Sequence, residues 1–257
     1  TGPASFSNQI VMTVNPVPVI SFTANPNPAC AGQSVSFVSS VTNAGFNPVF
    51  DWKRNGVSLG INAPTLTTSA LSNGDVISLS VTTGAGCAAS SGTNVTMTIN
   101  PQPTVSITAS AAAICNGDPV TFTATPSANA GAAPTYQWFV NSVAMAGQTG
   151  STYTSSSLNA NDVVQATVTS VSGCTSNFSN AITMTVNPAP TVIVTATATT
   201  ICEGQSVTFT ATPSIASTFQ WQINGVDVPN ATASTFTTTT LTGNPVITCV
   251  ATSLAGC

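Results

Sequence analysis

Repetition constrains this chain more than any other feature. Asn15-Pro16-Val17-Pro18 returns as Asn100-Pro101-Gln102-Pro103 and again as Asn187-Pro188-Ala189-Pro190, at spacings of 85 and 87 residues. Cys30, Cys115 and Cys202 recur at the same spacings. Trp52, Trp138 and Trp221 follow them, and each unit closes on a Gly-Cys pair, at Cys87, Cys174 and Cys257. A fixed period of this kind means one structural module used in series. A module of about 85 residues is the size of one small β-sandwich.

Each unit reads as a set of short strands. The A strand is Val19–Ala24, Thr104–Ala109 or Thr191–Ala196. The B strand is Ser34–Ser39, Pro119–Ala124 or Ser206–Ala211, with Val35/Phe37, Val120/Phe122 and Val207/Phe209 facing inward. The C strand carries the tryptophan, the E strand holds Leu66, Tyr153 or Phe236, and the F strand starts near Asp75, Asp162 or Asn244. The G strand is expected at Asn94–Ile99, at Asn180–Val186 and, near the N-terminus, at Asn8–Val14. Alternation of apolar and polar residues means one buried and one wet face. The expected organisation is all-β: three tandem sandwiches, 17–101, 102–188 and 189–257, in an extended rod. Residues 1–16 are then a G strand of a preceding domain or a neighbouring copy, and the third sandwich lacks its own.

Charge is nearly absent. The chain has 2 basic and 6 acidic residues and no histidine, so 3% of it is charged, against about 25% in ordinary domains. Ser, Thr, Asn and Gln must solvate the surface. No basic patch exists for nucleic acid, and no apolar run approaches the roughly 20 residues that span a bilayer. Without histidine no Ser-His-Asp arrangement can form. The acids are scattered, with no Asp-x-Asp cluster for calcium and no Cys-x-x-Cys pair for zinc. No cofactor, metal site or catalytic residue is expected. Asp75 and Asp162 read as turn residues bonding local backbone, as do Asp118 and Glu203. Lys53 and Arg54 read as a solvated edge. Trp52, Trp138 and Trp221 read as core. Asn94, Asn177 and Asn230 open Asn-x-Ser/Thr sequons, which matter only in a glycosylating host.

The segment Gly204-Gln-Ser-Val-Thr-Phe-Thr-Ala211 resembles the B-strand entry of immunoglobulin-like domains. Trp221 stands where that family has its C-strand tryptophan, and Cys249-Val-Ala-Thr-Ser-Leu-Ala-Gly256 resembles its F strand. With the low charge and the Asn-Pro-x-Pro junctions, the chain resembles repeats of giant secreted surface proteins of Bacteroidetes, adhesins and gliding-associated fibres. The family's B–F disulfide is missing: Ser39, Ala124 and Ala211 face Leu79, Ala166 and Cys249. Cys249, the odd seventh cysteine, reads as a buried free thiol. Under immunoglobulin-like topology B and F run the same way, so a cysteine before B lies roughly 20 Å from one after F. That favours Cys30–Cys174 and Cys115–Cys257 between domains over Cys30–Cys87, Cys115–Cys174 and Cys202–Cys257 within them. Cys87 and Cys202 would then bond to preceding and following domains.

The resemblance implies an extracellular, cell-surface fibre or adhesin shaft. Its partners would be neighbouring copies or further repeats, head to tail. Ile10, Met12 and Val14 would be donated to a neighbour. Two alternatives stand beside this: adhesin domains that bind a ligand directly, and a spacer in a secreted polysaccharide-degrading enzyme.

Overall fold

The structure, a computed structural model, describes residues 2–5, 7–91 and 93–257. It is built of β-strands, with one short 3-10 turn at Ala128–Ala130. Immunoglobulin-like sandwiches follow one another along the chain, each around its own apolar cluster.

The first sandwich sets one sheet of Val19–Asn25 (A), Val35–Thr42 (B) and Thr65–Thr68 (E), in the order A-B-E, against a second. The second sheet holds Val57–Ser58 (C′), Val49–Arg54 (C) and Val76–Thr82 (F), with Ala88–Ser90 and Val95–Thr96 both pairing F. The second sandwich repeats this with A Val105–Ala109, B Val120–Pro126, E Thr152–Ser155, C Thr135–Val140 and F Val163–Thr169. The third has A Val192–Ala196, B Val207–Pro213, E Thr235–Thr238, C Ser217–Ile223 and F Ile247–Ser253.

The tryptophans organise the cores. Trp52, Trp138 and Trp221 are each fully buried. Each ring lies about one ring-width from the B-strand phenylalanine, with centroids 6.1, 6.2 and 6.1 Å from Phe37, Phe122 and Phe209. Each indole N–H donates to a backbone carbonyl, of Ala63, Gly150 and Ala233, at 2.9 Å. The C–C′ turns are tight because Asn55, Asn141 and Asn224 take φ near +50°, a left-handed setting that asparagine tolerates and a two-residue hairpin requires.

Two expectations are corrected. The G strand is not continuous: in the second sandwich Ile182–Thr183 pairs antiparallel with F, then Thr185–Asn187 pairs parallel with Ala113–Cys115. The chain changes sheets there, so one alternating stretch serves two partners. Ile99–Asn100 does the same beside Ala29–Cys30. In the single chain residues 8–14 form no strand, and Ile10, Met12 and Val14 are exposed. Lys53 is not simply solvated, because strand C lies inside its sheet. Its ammonium pairs with Asp51 at 3.4 Å, and Arg54 donates to the Ala70 carbonyl.

Packing divides the chain into two compact units. One comprises Thr1–Pro103, Ala128–Pro134 and Thr169–Ser176; the other comprises Thr104–Ser127, Thr135–Val168 and Asn177–Cys257. Replacing Trp138 by Ala removes a fully buried ring and should cost about 3–5 kcal/mol. Urea denaturation of the whole chain should show an early transition absent from the wild type.

Candidate functional site

The features that repeat with chemistry attached are the cysteine-bearing turns. The Gly-Cys turn after F has one geometry in all three sandwiches. Cys174 N–H donates to Ser170 Oγ at 3.1 Å, while the Cys174 carbonyl accepts from Ser170 N–H at 2.8 Å. Cys257 makes the same pair with Ser253, and Cys87 with Thr83. Gly86, Gly173 and Gly256 take φ of 82°, 83° and 87°, which explains the glycine before each cysteine. The other cysteine type ends the short strand before B. Cys30 closes Ala29–Cys30, where Ala31 N–H donates to the Asn100 carbonyl and Cys30 N–H to Gln33 Oε1, both at 2.9 Å. Gln205 does this for Cys202. Glutamine thus supplies the side-chain bond expected of Glu203, which is exposed.

Two disulfides join one cysteine type to the other across successive repeats. Cys30 bonds Cys174, with Cα atoms 5.6 Å apart, inside the first compact unit. Cys115 bonds Cys257, again at 5.6 Å, inside the second. Around the first bond Gln102 Nε2 donates to the Thr175 carbonyl at 2.8 Å, and Asn129 Nδ2 donates to the Gln102 carbonyl at 3.0 Å. Ala130 is fully buried there. Closing a loop of 144 residues restricts the unfolded chain by about 5 kcal/mol in the chain-entropy treatment.

The remaining thiols are free: Cys87 half-buried, Cys202 exposed and Cys249 buried. Cys249 lies opposite Trp221 in the sheet, and burial pushes its thiol up from the ordinary range. It therefore stays protonated and unreactive. Labelling the native chain with a thiol reagent should modify Cys202 and Cys87. Cys249 should react only in denaturant, and the other four cysteines only after reduction.

The two matching aspartates brace turns. Asp162 accepts from Asn159 N–H and from Asn141 Nδ2, both at 2.8 Å. Asp75 accepts from Ser72 N–H and Asn55 Nδ2. These bonds, the backbone one foremost, hold both carboxyls below the usual range. They tie the C–C′ turn to the turn before F, a role for Asn55 and Asn141 that only their place beside Gly or Ser hinted at. The sign of the pH effect follows from the depressed values. The stabilisation is complete above the unfolded value of about 3.9 and is lost as pH falls through the lower folded one. Asp162→Asn should thus lower stability at pH 7, and its difference from wild type should shrink below about pH 4 in denaturation curves.

Among the described residues no three of His, Cys, Asp and Glu come together as a metal site. No helix among them is long and apolar enough to cross a membrane. Asn94, Asn177 and Asn230 are exposed.

Residues 102–188 match the family described as Ig-like domain CHU_C associated. No curated protein matches the chain. Solved structures similar to it include the N-terminal eight Ig domains of Down Syndrome Cell Adhesion Molecule. That match has 12% identity and a TM-score of 0.48, over 93% of this chain and 36% of that one. A 1.5-MDa bacterial ice-binding adhesin matches at 21% identity and a TM-score of 0.33, over 93% and 88%. The fibronectin(III)-like modules of Clostridium thermocellum CbhA match at 15% identity and a TM-score of 0.38, over 65% and 95%. At these identities the likeness extends to the fold alone.

Proposed function

We propose that this chain is a stretch of the shaft of an extracellular fibre, in which immunoglobulin-like modules bridge distance and turn over no substrate. The observation that carries this reading is the pair of disulfides. Each links the turn before B of one repeat to the turn after F of the next, so successive modules are stapled as well as threaded. Oxidised cysteines suit a secreted location. The modules are read as 17–101, 102–188 and 189–257, and the Asn-Pro-x-Pro links as stiff because proline fixes φ.

The finer reading is a cell-surface filament or adhesin shaft of Bacteroidetes type, with any adhesive tip carried elsewhere. It is supported by the Ig-like match at 102–188 and by the near absence of charge.

Small-angle X-ray scattering tests the shaft. A compact globule of 257 residues has a radius of gyration of about 18 Å. Three sandwiches end to end, each tens of ångströms long, should give roughly 30 Å or more. A value near the globular one would end the shaft reading.

A further inference from the structure

The chain holds four Asn-Gly pairs: Asn55-Gly56, Asn73-Gly74, Asn116-Gly117 and Asn224-Gly225. Such a pair carries a reaction of its own. The glycine nitrogen can attack the asparagine side-chain carbonyl, and with no Cβ on the glycine little crowds the approach. The attack needs a side chain free to swing and a glycine N–H free to lose its proton. Three of the pairs are held. Asn55 Nδ2 donates to Asp75 Oδ1 at 2.7 Å, and Asn55 Oδ1 accepts from Val76 N–H at 2.9 Å. Asn73 Oδ1 accepts from Ile99 N–H at 3.0 Å, and Gly74 N–H is committed to the Met97 carbonyl at 2.9 Å. Asn224 Oδ1 accepts from Val246 N–H at 2.8 Å.

Asn116-Gly117 is not held. Both residues are exposed. Among the described residues neither the Asn116 side chain nor the Gly117 N–H has a hydrogen-bond partner. The pair forms the tip of a turn that Asp118 N–H closes on the Cys115 carbonyl at 3.0 Å, with Gly117 at a φ of 92°. At the other staple, where the chain runs on past Cys174, the matching Ala31 and Gly32 are exposed as well. Cys115 is bonded to Cys257. Asn116 N–H donates to the Asn187 carbonyl at 2.9 Å, at the end of the parallel ladder between Ala113–Cys115 and Thr185–Asn187. The corresponding residues of the first and third repeats, Ala31 and Glu203, have no side-chain amide to lose.

We propose that Asn116-Gly117 is a self-modifying site, at which the folded chain deamidates ahead of its other three Asn-Gly pairs. Gly117 N–H loses its proton to base, and the nitrogen bonds to Asn116 Cγ. The Cγ–Nδ2 bond breaks, and the departing nitrogen takes a proton from water and leaves as ammonia. A second water then opens the cyclic imide at either carbonyl. One opening leaves aspartate at position 116. The other leaves isoaspartate, whose main chain runs through Cβ and is one carbon longer. The net change is one water consumed and one ammonia released, with no oxidant and no enzyme. A chain of net charge -4 gains one negative charge. The longer main chain falls at the residue whose N–H bonds Asn187, beside the Cys115–Cys257 disulfide. That staple ages chemically, and the one at Cys30 does not. The inference does not depend on the shaft reading.

The test uses the 257-residue chain, oxidised and folded, held in mildly alkaline buffer. Peptide mapping with a chymotrypsin-type protease reads amide loss at each pair. Transfer of a labelled methyl group by an isoaspartyl methyltransferase reads isoaspartate. Asn116 should deamidate at least about tenfold faster than Asn55, Asn73 or Asn224, because the hydrogen bonds holding those three must open first. In denaturant the four rates should converge. Isoelectric focusing of the native chain should show a more acidic band growing with time. Asn116→Ala, the residue of the first repeat at this place, should remove that band and the isoaspartate signal. Continued protection of its Cys249 thiol reports that the variant has folded. A native chain in which Asn55, Asn73 or Asn224 keeps pace with Asn116 would overturn the proposal. So would an Asn116 that is inert in the folded chain yet reacts in denaturant, or an acidic band that grows equally in Asn116→Ala.

Discussion

The indole N–H of each strand-C tryptophan fixes more of this fold than any other single group. Leaving such a donor buried and unpaired costs about 1–3 kcal/mol, so some carbonyl must stand at one point between the sheets. It comes from the segment before E, at separations of 11, 12 and 12 residues, from three different sequences. Once that segment is anchored, E is placed beside B. The B-strand phenylalanine then meets the indole from the opposite sheet. Register, sheet spacing and core packing follow from one bond and one ring.

The lack of charge shifts other work onto hydroxyls. Thr121 and Thr154 meet across B and E at 2.9 Å, and Thr208 and Thr237 at 2.8 Å. Such cross-strand pairs stabilise a sheet much as ion pairs do, but salt does not screen them. Carboxylates are kept where a turn needs a strong acceptor, as at Asp75 and Asp162. A surface made this way should behave alike across a wide range of ionic strength.

The core was readable because alternation is a direct image of a half-buried sheet: Val35/Phe37, Val120/Phe122 and Val207/Phe209 show it plainly. The strands that end in Cys30 and Cys115 were not, since two or three residues carry no period. The break in G was hidden for another reason. Changing partner from F to the strand before B does not disturb the alternation around Met97 or Met184. Nor could sequence show that residues 128–134 and 169–176 pack with the first repeat. That depends on bonds such as Gln102 to Thr175, which no local pattern announces. Lys53 and Arg54 misled because two adjacent charges look like an edge, whereas strand C is central.

The two disulfides overlap along the chain, one spanning 30–174 and the other 115–257. Their covalent topology differs from that of a string of beads. Tension applied at the two ends travels from the N-terminus to Cys30 and crosses to Cys174. It then runs backwards along the backbone to Cys115 and crosses to Cys257. The segments 30–115 and 174–257 hang as slack loops outside this load path. Even with every hydrogen bond broken, the oxidised chain can lengthen to only roughly a third of its full contour. Reduction therefore roughly triples the length to which the unfolded chain can be drawn, without changing a residue.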